Sequence, residues 1–167
     1  MKLYAPSTIN EIKEKHGFKF SKNLGQNFLV DKNIIDQIID ESYITEDDLV
    51  IEIGPGVGVL TAEAAQCAGR VVAVEIDTNL IPILEEALAE YDNVTVVNKD
   101  ILKTDLKELI DQYGTGGGVK IIGNLPYYIT TPIIMKILEE DVSVDSITIM
   151  MQKEVADRIK ASPGNKT

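Results

Sequence analysis

Leu49-Val50-Ile51-Glu52-Ile53-Gly54-Pro55-Gly56-Val57-Gly58 is the stretch on which the fold turns. An apolar run rich in branched residues and closed by glycines reads as a buried strand that enters a tight turn. The glycines admit that turn and let backbone N–H groups come close to a ligand. Their spacing is G-x-G-x-G, whereas a dinucleotide fold uses G-x-G-x-x-G to seat a pyrophosphate on a helix N-terminus. Glu52, just inside the strand end, would repel a pyrophosphate but could hold an ammonium group through the loop.

Outward from this stretch the same rhythm repeats. Arg70–Glu75, Val94–Asn98, Val119–Gly123 and Val144–Met150 are further runs rich in Val and Ile. Helical patterns lie between them: to about Ala68, from Thr78 to about Glu90, near Asp105–Tyr113, and from Thr131-Pro132, with proline at a first helical position. Gly114–Gly118 is a flexible loop. On the N-terminal side, Asp31 caps a helix whose Ile34, Ile35, Ile38 and Ile39 share a face. Thr8-Ile9-Asn10-Glu11 is a capping box for a helix ended by Gly17, residues 18–30 form a loop, and Lys153–Lys160 starts a last helix. Five strands separated by helices predict an α/β fold with a parallel sheet, helices on both faces and strand order 3-2-1-4-5. Right-handed crossovers and ligands at the carboxyl ends of the strands follow from that architecture.

Composition sets the outer limits. The 167 residues are 44% hydrophobic and 26% charged, an ordinary globular make-up that excludes bulk disorder. A chain of this length buries roughly 70% of its unfolded surface. Apolar runs such as Val71–Val74 are too short to span a membrane, and no apolar signal segment opens the chain. Cys67 and His16 are the only residues of their kinds, so neither a disulfide framework nor a zinc site is expected. A net charge of −11 argues against a generic nucleic-acid binder. The charge is uneven, however. Residues 1–32 carry +3 and residues 151–167 carry +2, which leaves the acidic excess in the body.

The residues just after each run are the candidate site. Glu75 lies twenty-one residues past Gly54 and can accept both ribose hydroxyls of an adenosine, whether that of NAD or of S-adenosylmethionine. Asp77 reads as a helix cap. Asp100 can accept from an adenine amino group, with Ile101 against the ring. Asn124-Leu125-Pro126-Tyr127 is the most specific signal. An Asn amide oxygen beside a backbone carbonyl held by proline makes a pair of acceptors for an exocyclic NH₂, and the tyrosine offers a face for a planar base.

These residues resemble the KsgA-type small-subunit ribosomal RNA adenine dimethyltransferases, a family of Rossmann-like class I methyltransferases dependent on S-adenosylmethionine. The matches are Lys22-Asn23-Leu24-Gly25-Gln26-Asn27-Phe28-Leu29-Val30-Asp31, Glu52-Ile53-Gly54-Pro55-Gly56, Glu75, Asp100, Asn124-Leu125-Pro126-Tyr127 and Gln152-Lys153-Glu154-Val155-Ala156, in family order. The resemblance implies that Asn27, Leu29, Gly54, Gly56, Glu75, Asp100, Ile101 and Asn124 line an S-adenosylmethionine site. It implies that Asn124, Leu125, Pro126 and Tyr127 hold the target base.

The implied substrate is a pair of adjacent adenosines in the 3′-terminal hairpin of small-subunit (16S) ribosomal RNA, each dimethylated on its 6-amino group. The setting would be ribosome biogenesis in the cytoplasm, with the immature small subunit as partner and no metal or membrane. Family members continue beyond residue 167 with further strands and a helical domain. The chain is therefore expected to be an N-terminal piece: residues 1–32 as a contact segment for cofactor and RNA, and 33–167 as a methyltransferase domain truncated before its last strands. It is expected to be monomeric, with an exposed edge at the fifth strand that invites association. A large-subunit RNA or DNA adenine methyltransferase, a nicotinamide-dependent oxidoreductase and a non-catalytic ribosome-assembly factor are the competing readings.

Overall fold

The computed structural model describes residues 31–151. The expected N-terminal helix, the 18–30 loop with Asn27 and Leu29, and the helix at Lys153–Lys160 lie outside the described residues. Helix α1 (Lys32–Ser42) opens on Asp31, whose carboxylate accepts from the Asn33 N–H at 2.9 Å. There follow β1 (Leu49–Ile53), α2 (Val59–Ala65), β2 (Arg70–Glu75), α3 (Ile81–Ala87), β3 (Val94–Asn98), α4 (Leu106–Tyr113), β4 (Val119–Leu125), α5 (Tyr127–Glu140) and β5 (Ser146–Met151). Short 3₁₀ turns at Thr78–Leu80 and Ile101–Lys103 precede α3 and α4.

All strand pairs are parallel, in the order β3-β2-β1-β4-β5. Every residue of β1 is buried, as the central strand of a sheet covered on both sides requires. Alternation along the strands divides the core in two. Val50, Val71 and Ile122 point to one face and pack with Ile35 and Ile38 of α1, Leu60 of α2, and Ile83 and Leu84 of α3. Leu49, Ile51, Ile53, Val72, Val74 and Ile121 point to the other and meet Leu106 and Leu109 of α4 and Ile133 and Ile137 of α5. Each such side chain, fully buried, contributes about 1.5–3 kcal/mol. The strand order reverses between β1 and β4, so the switch point falls between the glycine turn and Asn124.

Several elements differ from the sequence expectation, among them β5, which begins at Ser146 and ends at Met151 where Val144–Met150 was expected. Helix α5 begins at Tyr127 rather than at Thr131-Pro132, and Pro132 lies inside it. Its first turn closes locally: the Pro126 carbonyl accepts from the Thr130 hydroxyl at 3.1 Å and from the Ile129 N–H at 3.4 Å. Strand β4 accordingly runs on to Leu125, which pairs with Met151 on β5. The stretch expected as one helix from Thr78 is a 3₁₀ turn followed by α3, with proline in the first turn of α3, where its missing N–H costs nothing. Among the described residues, β5 pairs only with β4.

Candidate active site

The carboxyl ends of β1 to β4 bring Gly54, Gly56, Glu75, Asp100 and Asn124 to one edge of the sheet. Register does much of this. Ile53 lies opposite both Val74 and Gly123, and Glu75 lies opposite Asn98. Gly54 and Gly56 adopt left-handed backbone, with φ of 66° and 62°, which an L side chain takes only under strain. Gly54 N–H donates to the Val74 carbonyl at 3.0 Å and so ties the turn to β2. A Cβ on Gly54 would stand 3.2 Å from Leu125 Cδ2. The loop therefore lies directly against the end of β4.

Two buried carboxyls flank this loop, and one of them, Glu75, braces it. Glu75, 1% exposed, accepts from the Gly56 N–H at 3.3 Å with Oε1 and from the Asp77 N–H at 2.9 Å with Oε2. Burial raises its pKa, and the backbone donors oppose the shift. Glu52, 2% exposed, accepts from the Thr61 hydroxyl in the first turn of α2. Burial pushes its pKa up to about 8, so Glu52 is largely protonated at neutral pH. Its partner within the fold is this hydroxyl on α2.

Asp77 caps as expected, accepting from the Asn79 N–H at 2.9 Å. Asp100 also caps, accepting from the Leu102 N–H at 3.0 Å, and Ile101 is buried in the core with α4 and α5. Asn98 was missed from sequence, where it is only the last residue of a strand. Its amide donates to the Glu75 carbonyl at 2.9 Å and the Ile76 carbonyl at 3.3 Å, and its Oδ1 accepts from the Thr78 hydroxyl at 3.2 Å.

The β4–α5 corner is different. Leu125 and Pro126 are buried, and Tyr127 at the start of α5 is 48% exposed. The Pro126 carbonyl is occupied by the first turn of α5. Asn124 is half-buried, and no hydrogen bond within the described residues reaches its side-chain amide.

A parallel sheet of this order, with a G-x-G-x-G turn after β1, an acidic residue ending β2 and Asn-Leu-Pro-Tyr after β4, defines a Rossmann-like class I methyltransferase fold. The family model described as ribosomal RNA adenine dimethylase matches residues 17–167, and the chain belongs to that family. It is 57% identical over 165 residues to the ribosomal RNA small subunit methyltransferase A of Alkaliphilus oremlandii, covering 99% of this chain and 58% of that protein. The protein of the same name from Clostridioides difficile is 56% identical, with 99% and 57% covered. The chain thus spans somewhat over half the length of these relatives. Among solved structures, the 23S rRNA methyltransferase ErmE superposes with a TM-score of 0.64 at 32% identity, over 75% of this chain and 48% of that one. A dimethyladenosine transferase from Plasmodium falciparum gives 0.62 at 29% identity, over 81% and 46%.

Proposed function

We propose that the chain carries the cofactor pocket and target-base corner of an S-adenosylmethionine-dependent dimethyltransferase acting on adjacent adenosines of small-subunit ribosomal RNA in the cytoplasm. The observation that carries this reading is Asn124. It is a half-buried amide without a partner among the described residues, directly before Leu125-Pro126-Tyr127 at the end of β4. The donor set fits the cofactor. Glycine backbone approaches without side chains, the Glu75 carboxylate suits ribose hydroxyls, and Asp100 suits an adenine amino group. Asn27 and Leu29, outside the described residues, complete the proposed lining, with Ile101 and Asn124.

When bound, S-adenosylmethionine supplies an electrophilic methyl on a sulfonium. The chain's residues must present a poor nucleophile, an aromatic amine whose lone pair is delocalised into the purine. The Asn124 side-chain oxygen and one backbone carbonyl accept the two N–H groups. They draw the nitrogen toward a pyramidal geometry and aim its lone pair at the methyl carbon. The Pro126 carbonyl already serves α5, so the second acceptor is assigned to Leu125. Asn124 and the backbone carbonyl would hold the nitrogen in line while the cofactor supplies the methyl and keeps the electron pair of its C–S bond on sulfur. The nitrogen then sheds one proton to solvent, and no strong base is needed. Tyr127 stacks on the base, which must leave its own stack at a cost of a few kcal/mol.

Calorimetry with S-adenosylmethionine, followed by methyl incorporation into immature small subunits and into duplex DNA, tests the reading. Binding together with incorporation into the subunit alone is the expected result. Incorporation into DNA, or protection by NADH instead of S-adenosylmethionine, would overturn it.

A further inference from the structure

The turn after β2 is held by a side chain from β3. Asn98 spends all three of its observed hydrogen bonds on residues 75–78: two from its amide to successive carbonyls, Glu75 and Ile76, and one accepted from the Thr78 hydroxyl. The Lys99 N–H adds a bond to the Glu75 carbonyl at 3.1 Å. Within the clamped turn, the Glu75 carboxylate is fixed by the Asp77 N–H, and Ile76 stands 47% exposed beside it. Asn98 itself is exposed at the sheet's edge and packs into no core. An exposed amide that bonds two consecutive carbonyls fixes the direction of the peptide between them. That peptide joins the acidic residue to an apolar side chain left open to a ligand.

We infer that Asn98 is a positioning residue for the adenosine end of the cofactor: it sets the angle between the Glu75 carboxylate and the Ile76 side chain, and so sets the preference for a ribose over a deoxyribose. The inference rests on the proposed cofactor reading. A ribose presents two hydroxyls in a fixed relation, and a carboxylate rewards that pair only when its plane is held. A free turn would let Glu75 swing onto one hydroxyl alone and would lose discrimination before it lost all affinity.

The test compares S-adenosylhomocysteine with its 2′-deoxy counterpart by calorimetry, in the wild-type chain and in Asn98→Ala, Asn98→Asp and Thr78→Val. Asn98→Ala should weaken S-adenosylhomocysteine about tenfold, the order expected for one or two lost hydrogen bonds. It should weaken the deoxy compound much less, so the preference narrows. Asn98→Asp keeps the bond to Thr78 but sets an oxygen against two carbonyls, and should narrow the preference at least as much. Thr78→Val, which leaves both carbonyl bonds intact, should keep it. If Asn98→Ala fails to fold, the contrast between Asn98→Asp and Thr78→Val decides. An unchanged preference in the Asn98 variants, with only a lower Tm, would reduce Asn98 to a strand fastener and overturn the inference. No binding of either compound by the wild-type chain would instead bring down the cofactor reading itself.

Discussion

At the carboxyl ends of β1 and β2 the carboxyl groups have partners: Glu52 has Thr61, Glu75 has the N–H groups of Gly56 and Asp77, and Asp77 has the N–H of Asn79. At the β4–α5 corner, the Asn124 amide has no partner within the described residues, and Tyr127 and Tyr128 are 48% and 58% exposed. The first region is a frame complete before any ligand arrives. The second holds acceptors and ring faces in reserve. Preorganisation on one side lowers the ordering cost of binding a cofactor. On the other side a half-buried amide, open to solvent, is left available to bond a target base as it enters and reacts. The two regions should therefore fail differently when broken.

The largest effect is expected at Asn124. Asn124→Ala should lower the rate of the proposed methyl transfer to small-subunit RNA about a hundredfold or more, the scale seen when one preorganised polar group at a reacting centre is removed. Affinity for S-adenosylmethionine should change by no more than about threefold. Single-turnover methyl incorporation and calorimetry separate the two. Equal losses would place Asn124 with the frame and erase the contrast.

Glu75→Ala should show the opposite signature. It removes the brace on Gly56 and the proposed ribose acceptor together, and a hydrogen bond to a charged group contributes about 1.5–3 kcal/mol. Cofactor affinity should fall at least about tenfold, with the rate at saturation little altered. A rate loss with intact affinity would move Glu75 out of the cofactor site.

Glu52 sharpens the comparison through pH. Its carboxyl titrates near 8 in the folded chain, against 4.5 for the ordinary group. Below pH 4.5 both folded and unfolded chains hold the proton. Between 4.5 and 8 the unfolded chain releases it and the folded chain keeps it, so stability falls as pH rises, by up to about 1.4 kcal/mol per pH unit. Above 8 the slope vanishes. Glu52→Gln keeps an oxygen for the Thr61 hydroxyl and carries no charge. Its Tm advantage over the parent should widen from pH 5 to pH 8, as denaturation scans at several pH values would show. A gap independent of pH would mean that Glu52 is ionised in place.

The bounds of β1, β2 and β3 were readable because each of these apolar runs ends abruptly in a polar or turn residue. Leu49–Ile53, Arg70–Glu75 and Val94–Asn98 are the same residues in the sequence pattern and in the structure. The caps at Asp31 and Asp77 were readable because an Asx cap is a local event. The start of α5 misled because Thr131-Pro132 imitates a helix entry, while the true first turn is closed by Thr130 reaching back to Pro126. The Glu52–Thr61 and Asn98–Glu75 contacts join residues 9 and 23 apart, and no local pattern announces them. Asn124 and Glu75 stood out as residue types at strand ends, but the contrast between a bonded and an unbonded site is a property of the folded edge.

Gly54 is where the two regions touch, and it carries the smallest predicted effect. Its φ of 66° costs a non-glycine residue roughly 1–2 kcal/mol, so Gly54→Ala should lower Tm by a few degrees. The new methyl would also stand 3.2 Å from Leu125 Cδ2, so Leu125 must yield. Leu125 follows Asn124 directly and supplies the second proposed acceptor. A small displacement there should slow methyl transfer at saturating cofactor by about threefold, in keeping with the steep dependence of reaction on alignment. Adding Leu125→Val removes the atom that the methyl meets and should recover part of the rate while leaving the backbone strain, and so the Tm loss, in place. If Gly54→Ala lowers Tm without slowing the saturated reaction, the frame and the corner are mechanically independent, and contact between Gly54 and Leu125 is packing alone.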